Sequence, residues 1–123
     1  MAARARDDAA GMIYKILLRA DWEAACRAGR YEGSQVDLHD GFIHFSTAAQ
    51  AAETARRHFA GQTGLVLVGF EPERLGPALK WEPSRGGDLF PHLYGPLDCA
   101  LAVSVTPIGL ADDGTPQLGP LDP

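Results

Sequence analysis

Alternating blocks of hydrophobic and polar residues along the chain predict a mixture of strands and helices. Met12–Leu18 is rich in residues that favour strands, and it predicts the first strand. A helix over Trp22–Ala28 is expected next, with Asp21 as its N-terminal cap and Gly29 as its C-terminal stop. The segment Gly41–Ser46 alternates between residue classes and predicts a second strand.

This second strand has two chemically different faces. Ile43 and Phe45 share the face that we expect to pack on the core. Phe42, His44 and Ser46 share the opposite face, because side chains alternate along a strand with period two. The pattern therefore predicts an imidazole and a hydroxyl that point the same way at the lip of a cleft. The alternative is a half-buried histidine with satisfied hydrogen bonds, beside a serine that completes a turn.

The middle of the chain predicts a helix and a buried strand. Thr47 and Gln50 have the spacing of a capping box, and apolar residues recur at helical spacing from there to Phe59, before Gly61. The continuous apolar run Leu65–Phe70 predicts a strand buried on both faces. These elements favour an α+β fold.

Later elements complete one domain. Pro72–Leu75 predicts one helical turn, and Ala100–Thr106 predicts a late strand in a central position. We predict a single domain over residues 12–108, between a disordered tail over residues 1–11 and a turn-rich tail over residues 109–123.

The segment Lys80–Leu97 concentrates aromatic and ionisable residues between glycines and prolines. We predict a loop without long regular structure here, because glycine and proline interrupt both helices and strands. A loop of this composition is more often a site than a spacer. Its candidate residues are Trp81, Glu82, Arg85, Phe90, His92 and Tyr94.

Composition and charge narrow the classes of function. The 123 residues carry a formal net charge of −5 without a basic run, which argues against a dedicated DNA binder and leaves RNA open. No apolar run approaches the roughly 20 residues that span a bilayer, so we expect no membrane segment. Cys26 and Cys99 form no CxxC pair, which predicts two buried thiols in a reducing cytoplasm.

Two kinds of chemistry fit the candidate residues poorly. Nucleophilic catalysis needs an activated serine, and Ser46 lacks the Gly-x-Ser-x-Gly context of a nucleophile elbow. A metal site would draw on His39, His44, His92 and Glu82. The chain has no HExxH motif and no tight Cys/His spacing, so we predict no metal.

Binding of a nucleotide or another phosphorylated ligand fits them better. Lys15 and Arg85 would supply positive charge. His44 and His92 would hydrogen-bond phosphate or ribose hydroxyls. No GxGxxG or Walker loop is present, so the site would be of neither Rossmann nor P-loop type. The rings that would stack on a base are Trp81 and Tyr94.

Three stretches of the chain resemble the small bacterial proteins of the domain-of-unknown-function 952 (DUF952) family. The stretches are YKILLRADWEAACRAG, GSQVDLHDGFIHFSTAAQ and LKWEPSRGGDLFPHLYGPL, and the resemblance runs from about Met12 to Pro107. It implies an ADP-ribosyltransferase-like fold, in which two small mixed or antiparallel sheets and two main helices surround a cleft. In the active relatives that cleft holds NAD.

Within this wider group the chain is most similar to the RNA 2′-phosphotransferases. Their His-x-His-x-Ser-type strand corresponds to His44 and Ser46, and the histidine of their first strand corresponds to Lys15. The late glutamate of many transferases has no clear counterpart, and His92 is the nearest candidate for its place. The resemblance therefore implies NAD binding or phosphate transfer more readily than ADP-ribosylation.

These observations lead to one main expectation and two rivals. We expect a cytoplasmic monomer or weak dimer with a cleft for NAD or another nucleotide-like small molecule, and with transferase-like activity. The rivals are a non-catalytic metabolite-binding module and a purely structural polar network of His44, Glu82 and His92. The expected catalytic residues are His44, Ser46 and His92, and the expected ligand-binding residues are Lys15, Trp81, Glu82, Arg85 and Tyr94.

Overall fold

Five antiparallel strands form the larger sheet in the computed structural model, which describes residues 11–121. Elements are numbered in chain order, and this sheet has the strand order β10–β9–β5–β1–β4. The predicted tail over residues 1–11 lies almost entirely outside the described residues, as do residues 122–123 and the side chain of Arg85. The strands are β1 (Ile13–Leu18), β4 (Ser46–Thr47), β5 (Leu65–Phe70), β9 (Ser104–Leu110) and β10 (Pro116–Gln117).

Two smaller antiparallel sheets and three α-helices complete the described fold, so the predicted α+β class is confirmed. A three-stranded sheet has the order β3–β7–β6, and a two-stranded one joins β2 to β8. The strands are β2 (Arg30–Tyr31), β3 (Ile43–His44), β6 (Leu79–Pro83), β7 (Leu89–Leu93) and β8 (Leu97–Asp98). The helices are α1 (Arg19–Ala28), α2 (Gln35–Asp40) and α3 (Ala48–His58). Short 3₁₀ segments span Pro72–Ala78, Arg85–Gly87 and Cys99–Leu101.

Strand β1 separates two apolar clusters, because its side chains alternate between the faces of the larger sheet. Ile13 and Leu17 belong to the main core, whereas Tyr14 and Ile16 pack in a second cluster with α3. The strand predicted at this position is confirmed. The all-buried strand predicted over Leu65–Phe70 is also confirmed, as β5.

Helix α1 begins earlier than predicted. Its first residue is Arg19, and its N-cap is Leu18, which makes no side-chain capping bond. Asp21 therefore lies within the first turn, where a carboxylate favours the helix dipole, and its prediction as the cap is wrong. Gly29 ends the helix in the left-handed conformation, as predicted, with φ of 91°.

The predicted strand over Gly41–Ser46 is wrong in one respect, because the structure divides it between two sheets. Ile43 and His44 pair with β7, whereas Ser46 pairs with Tyr14 of β1. The N–H of Phe45 donates to the carbonyl of Pro91 at 3.0 Å, but proline has no N–H to return the bond. The β3–β7 ladder therefore stops there. Ile43 and Phe45 are buried, as predicted.

The capping box at the start of α3 is confirmed. The side chain of Thr47 accepts the backbone N–H of Gln50, and the side chain of Gln50 accepts the backbone N–H of Thr47. The helix ends at His58 with Phe59 as its C-cap.

The loop predicted over Lys80–Leu97 is wrong, because most of this segment forms the β6–β7 hairpin. Backbone hydrogen bonds from Tyr94 to Ala78 and from Ser84 to Asp88 fix which cross-strand pairs are hydrogen-bonded. By this alternation, Pro83 and Pro91 occupy non-hydrogen-bonded pairs of the hairpin. A residue in such a pair donates no hydrogen bond to the other hairpin strand, so the missing N–H of proline removes none of the hairpin's hydrogen bonds. The glycine and proline content of the segment therefore led to a wrong prediction.

The C-terminal part of the chain also departs from the prediction. Strand β9 begins at Ser104, after the 3₁₀ turn Cys99–Leu101, and lies next to edge strand β10 instead of in the centre. The sheet continues beyond residue 108, since Gly109 and Leu110 pair with β10. None of the helices within residues 11–121 is long and apolar enough to cross a membrane.

Candidate functional site

Two histidines from distant segments lie directly opposite each other in the three-stranded sheet. His44 of β3 and His92 of β7 are antiparallel cross-strand partners. Their ring centroids are 5.5 Å apart, and the rings are tilted by 66°. Side chains of directly opposed residues share one face of a sheet. The structure therefore brings together the two imidazoles that the sequence singled out.

Asp37, in helix α2, anchors the first imidazole. The helix begins with a capping box, in which Asp37 Oδ2 accepts the backbone N–H of Ser34 at 2.9 Å. Asp37 Oδ1 lies 2.6 Å from Nδ1 of His44 and accepts the backbone N–H of that residue at 3.2 Å. The local conformation of α2 thus fixes both the position and the ring orientation of His44.

Lys15 supplies a buried positive charge to Asp37. It lies on β1 between the core residues Ile13 and Leu17, and its Nζ is 2.9 Å and 3.1 Å from the two oxygens of Asp37. Burial alone would raise the pKa of Asp37, but the hydrogen bond from His44 and the charge of Lys15 outweigh it. The pKa of Asp37 therefore lies well below its usual range. Lys15 is only 7% exposed, so it reaches a ligand only through Asp37 and His44.

Asp40 contacts the other nitrogen of the same imidazole. Its Oδ2 lies 2.9 Å from Nε2 of His44, which is 34% exposed. Hydrogen bonds from His39 and then from His44 lower the pKa of Asp40. A neutral imidazole has a single N–H, so both carboxylates accept a hydrogen bond from His44 only when both ring nitrogens carry a proton.

Glu82 anchors the second imidazole. Its Oε1 lies 2.8 Å from Nδ1 of His92 and also accepts the hydroxyl of Tyr94 at 2.7 Å. The hydrogen bond from His92, followed by the one from Tyr94, lowers the pKa of Glu82, and the same carboxylate raises the pKa of Tyr94. The His92 side chain is only 6% exposed. Its Nε2 has no hydrogen-bond partner among the residues that the structure describes.

Phe42 covers the two imidazoles. Its ring is stacked on His92 with a centroid separation of 4.1 Å and lies 4.6 Å from His44. The ring of Tyr94 is 5.2 Å from Phe42 and is exposed. These contacts restrict the rotation of both histidine rings, and Tyr94 adds an exposed aromatic face beside them.

Three predicted site residues are not joined to this cluster by any described contact. The hydroxyl of Ser46 is buried and lies 2.8 Å from that of Thr54 on α3. Trp81 is the cross-strand partner of Pro91, which directly precedes His92. Because side chains alternate along a strand, Trp81 lies on the face of the hairpin opposite to that of His92. The side chain of Arg85 lies outside the described residues.

One hollow borders the cluster, and a second hollow adjoins the first. One of about 210 Å³ includes Asp37, Phe42 and Leu93 in its lining. The other, of about 580 Å³, runs between α1 and α2 and shares Glu32 and Leu38 with the first. Neither hollow is lined by His44 or His92. The imidazoles lie on a covered sheet face next to a hollow instead of at its floor.

Sequence reasoning missed three members of the cluster, namely Asp37, Asp40 and Phe42. A signal for Asp37 was present, since Ser34-x-x-Asp37 is a capping-box pattern that predicts a helix start. A helix from there to Gly41 would have put both aspartates on the element that directly precedes the strand of His44. Phe42 had been assigned to the face of His44 but not to the site.

Carboxylates outnumber ammonium groups in the cluster. The carboxylates of Asp37, Asp40 and Glu82 outnumber the described ammonium groups nearby, Lys15 and Lys80. Within residues 11–121, no group of three or more His, Cys, Asp or Glu side chains is arranged to hold a metal ion.

A family model described as a protein of unknown function, DUF952, matches residues 16–105. The chain is also similar to the protein CC0527 from Caulobacter crescentus. Its crystal structure has 56% sequence identity and a TM-score of 0.86, and the match covers 88% of this chain and 95% of that chain. The solution NMR structure of CC0527 gives 56% identity and a TM-score of 0.79, over 88% and 93% of the two chains. No curated protein matches the chain.

Proposed function

We propose that this chain, which belongs to the DUF952 family of proteins of unknown function, uses its facing imidazoles as an acid–base site for a nucleotide-like small molecule. The observation that carries the proposal is the opposition of His44 and His92, each with a carboxylate at Nδ1. A carboxylate in that position fixes the tautomer and orientation of an imidazole and prepares it to accept or donate a proton at the other nitrogen.

The two histidines have different hydrogen-bond environments, which suggests different roles. Both ring nitrogens of His44 contact carboxylates, and we assign this residue the role of proton donor. His92 donates from Nδ1 to Glu82 and keeps a lone pair on Nε2, so it is suited to accept a proton. Two titratable groups placed in contrasting environments are the usual basis of an acid–base pair.

NAD or a related nucleotide is the ligand class that we propose. The exposed ring of Tyr94 is available to stack on a base, and the carboxylate–imidazole pairs can hydrogen-bond ribose hydroxyls. Arg85 remains the candidate cation for a phosphate. In this proposal Lys15 is a positioning residue that acts through Asp37, and Trp81 takes no part. The antiparallel sheets and the two long helices match the general architecture of an ADP-ribosyltransferase-like fold, and we propose transferase-type chemistry within it.

Ligand-dependent stabilisation tests the proposal. We expect NAD, ADP-ribose or a nucleotide at millimolar concentration to raise the Tm of the wild-type protein, because a ligand that binds only the folded state stabilises it. His92→Ala should abolish the shift, whereas Glu53→Gln, on the exposed surface of α3, should preserve it. Absence of a shift with every one of these compounds would contradict the proposal.

A non-catalytic binding module is the second candidate, and one observation favours it. Both nitrogens of His44 are engaged by carboxylates, so this ring has no free lone pair for a substrate. His44→Ala separates the two candidates. An enzyme that uses His44 loses turnover by orders of magnitude with little loss of binding, whereas a module loses binding alone.

A further inference from the structure

Two cysteines that are distant in the sequence meet at the end of helix α1. The carbonyl of Cys26 accepts the N–H of Gly29 at 3.2 Å, and the carbonyl of Gly29 accepts the N–H of Cys99 at 3.3 Å. The flanking residues Arg30 and Asp98 are cross-strand partners in the β2–β8 sheet. The Cys26 thiol is also close enough to that of Cys99 to interact with it electrostatically. These backbone contacts bring the two cysteines to the same end of helix α1.

The two thiols differ in accessibility and neither is fully buried, so the prediction of two buried thiols is wrong. Cys26 is exposed on α1, whereas Cys99 is partly buried and packs against the main core. Burial, followed by the proximity of Cys26, raises the pKa of the Cys99 thiol to about 11. An oxidant in solution can therefore reach Cys26 directly, and Cys99 is poorly disposed to react first.

We propose that Cys26 and Cys99 form a reversible disulfide, in which Cys26 reacts first and Cys99 resolves the intermediate. The oxidant is a low-molecular-weight disulfide. The Cys26 thiolate attacks one of its sulfurs, forms a mixed disulfide and releases one small thiolate. Cys99 then gives its proton to solvent and attacks Sγ of Cys26, which releases the second small thiolate. Two electrons pass from the protein dithiol to the small disulfide, which is reduced to two thiols.

The loop that this bridge closes contains most of the site. Asp37, His44, Glu82 and His92 all lie between Cys26 and Cys99 in the sequence, and Lys15 lies outside. A disulfide that closes a long loop restricts the unfolded chain and so stabilises the folded state. Oxidation would therefore stabilise the segment that carries the imidazoles without adding a group to the site.

Oxidised glutathione is the probe that tests this inference on the full chain. Mass spectrometry without reductant should show the wild-type protein lighter by two hydrogen atoms and free of glutathione. Its Tm should rise by roughly 5–15 °C and return after reduction. Cys99→Ser should accumulate a glutathione adduct on Cys26, and Cys26→Ser should leave Cys99 unmodified.

Several results would overturn the inference. They are two free thiols in the treated wild-type protein, a stable glutathione adduct on it, a disulfide between two chains, or modification of Cys99 in Cys26→Ser. The wild-type mass decides the matter even if the Cys99→Ser variant folds poorly. These readouts need no nucleotide, so they are independent of the proposed function.

Discussion

The ammonium of Lys15 lies 2.9 Å from the carboxylate of Asp37, and both side chains are almost completely buried. The pair connects strand β1 of the larger sheet to helix α2, and Asp37 in turn contacts His44. A buried ion pair matters to stability mainly because removal of one partner leaves the other charge unpaired in the interior, which is energetically costly. The orientation of His44 thus depends on a contact within the main core.

Asp37→Asn should be strongly destabilising. The variant leaves the Lys15 ammonium buried without a negative partner, and breaking such a pair costs about 3–5 kcal/mol. Urea denaturation monitored by circular dichroism measures the loss in the free energy of unfolding. Glu53→Gln is the control, because it removes only exposed ion pairs with Arg56 and Arg57, which contribute little to stability in water. Equal losses in the two variants would contradict a structural role for the buried pair.

Stability should fall as the solution is acidified. The pKa of Asp37 is lower in the folded protein than its ordinary value of 3.8, so the carboxylate stabilises the fold above that value. This contribution is lost progressively as pH falls from 3.8 towards the folded-state pKa. Denaturation curves between about pH 6 and pH 2 should show the decline, and Asp37→Asn should flatten it.

The salt dependence of stability distinguishes the contribution of Asp37 to acid destabilisation from that of surface carboxylates. Arg56 and Arg57 hold the exposed carboxyl of Glu53 at a pKa of about 2, which has the same sign of pH dependence. At about 1 M salt the exposed contribution is screened, whereas the buried pair is screened much less. A pH dependence that vanishes entirely at high salt would count against Asp37 as its source.

Gly33→Ala should disturb the cluster from outside it. Gly33 has φ of +121°, and a Cβ at this position would lie 2.8 Å from Cβ of Asp37. The substitution therefore adds a steric clash to backbone strain, and we expect a loss of about 2–4 kcal/mol. Gly64→Ala is a matched control, because Gly64 also has positive φ but no atom within 4 Å of the added Cβ. Similar losses in the free energy of unfolding for both variants would argue against close packing on Asp37.

Glu82→Gln should lower the pKa of the Tyr94 phenol. In the wild-type protein the Glu82 carboxylate accepts a hydrogen bond from the Tyr94 hydroxyl and raises the pKa of the phenol. The uncharged amide of the variant removes the negative charge, so the phenolate should form at lower pH. Ultraviolet absorbance during alkaline titration measures the change. The difference between each protein and its Tyr94→Phe counterpart isolates the signal of this tyrosine from those of Tyr14 and Tyr31. An unchanged difference curve would mean that the hydrogen bond is not maintained in solution.

Ser46→Ala should leave any ligand response intact. The serine hydroxyl is hydrogen-bonded to Thr54 and away from the described contacts of the imidazoles, so its loss should cost only about 1 kcal/mol of stability. The thermal shift with NAD or ADP-ribose should match that of the wild-type protein. Loss of the ligand shift in a correctly folded variant would restore Ser46 to the site.

Local patterns predicted the elements in which a single signal dominates. The apolar run of β5 and the capping box of α3 need no information from elsewhere in the chain. The β6–β7 hairpin was missed because Pro83 and Pro91 read as breakers, and only the cross-strand register shows that their missing N–H groups are harmless to it. Register is a property of two segments, and neither segment specifies it alone.

The site was predictable in part for the same reason. Histidine is scarce in this chain, and it drew attention to His44 and His92. Their carboxylate partners depend on long-range geometry, since Glu82 reaches His92 across a hairpin and Asp37 reaches Lys15 through the core. The sequence suggested that the positive charge of Lys15 would bind a ligand. Only the structure shows that Lys15 is buried and pairs with Asp37 instead.

The division of the segment Ile43–Thr47 between two sheets has a consequence for how this chain tolerates changes in length. One residue, Phe45, is the whole connection between β3 and β4. Inserting or deleting a single residue there would shift one strand by one position and exchange its inward and outward side chains. The loop before β5, with its glycines Gly61 and Gly64, carries no such constraint, so length variation among relatives should collect there and spare the connection at Phe45.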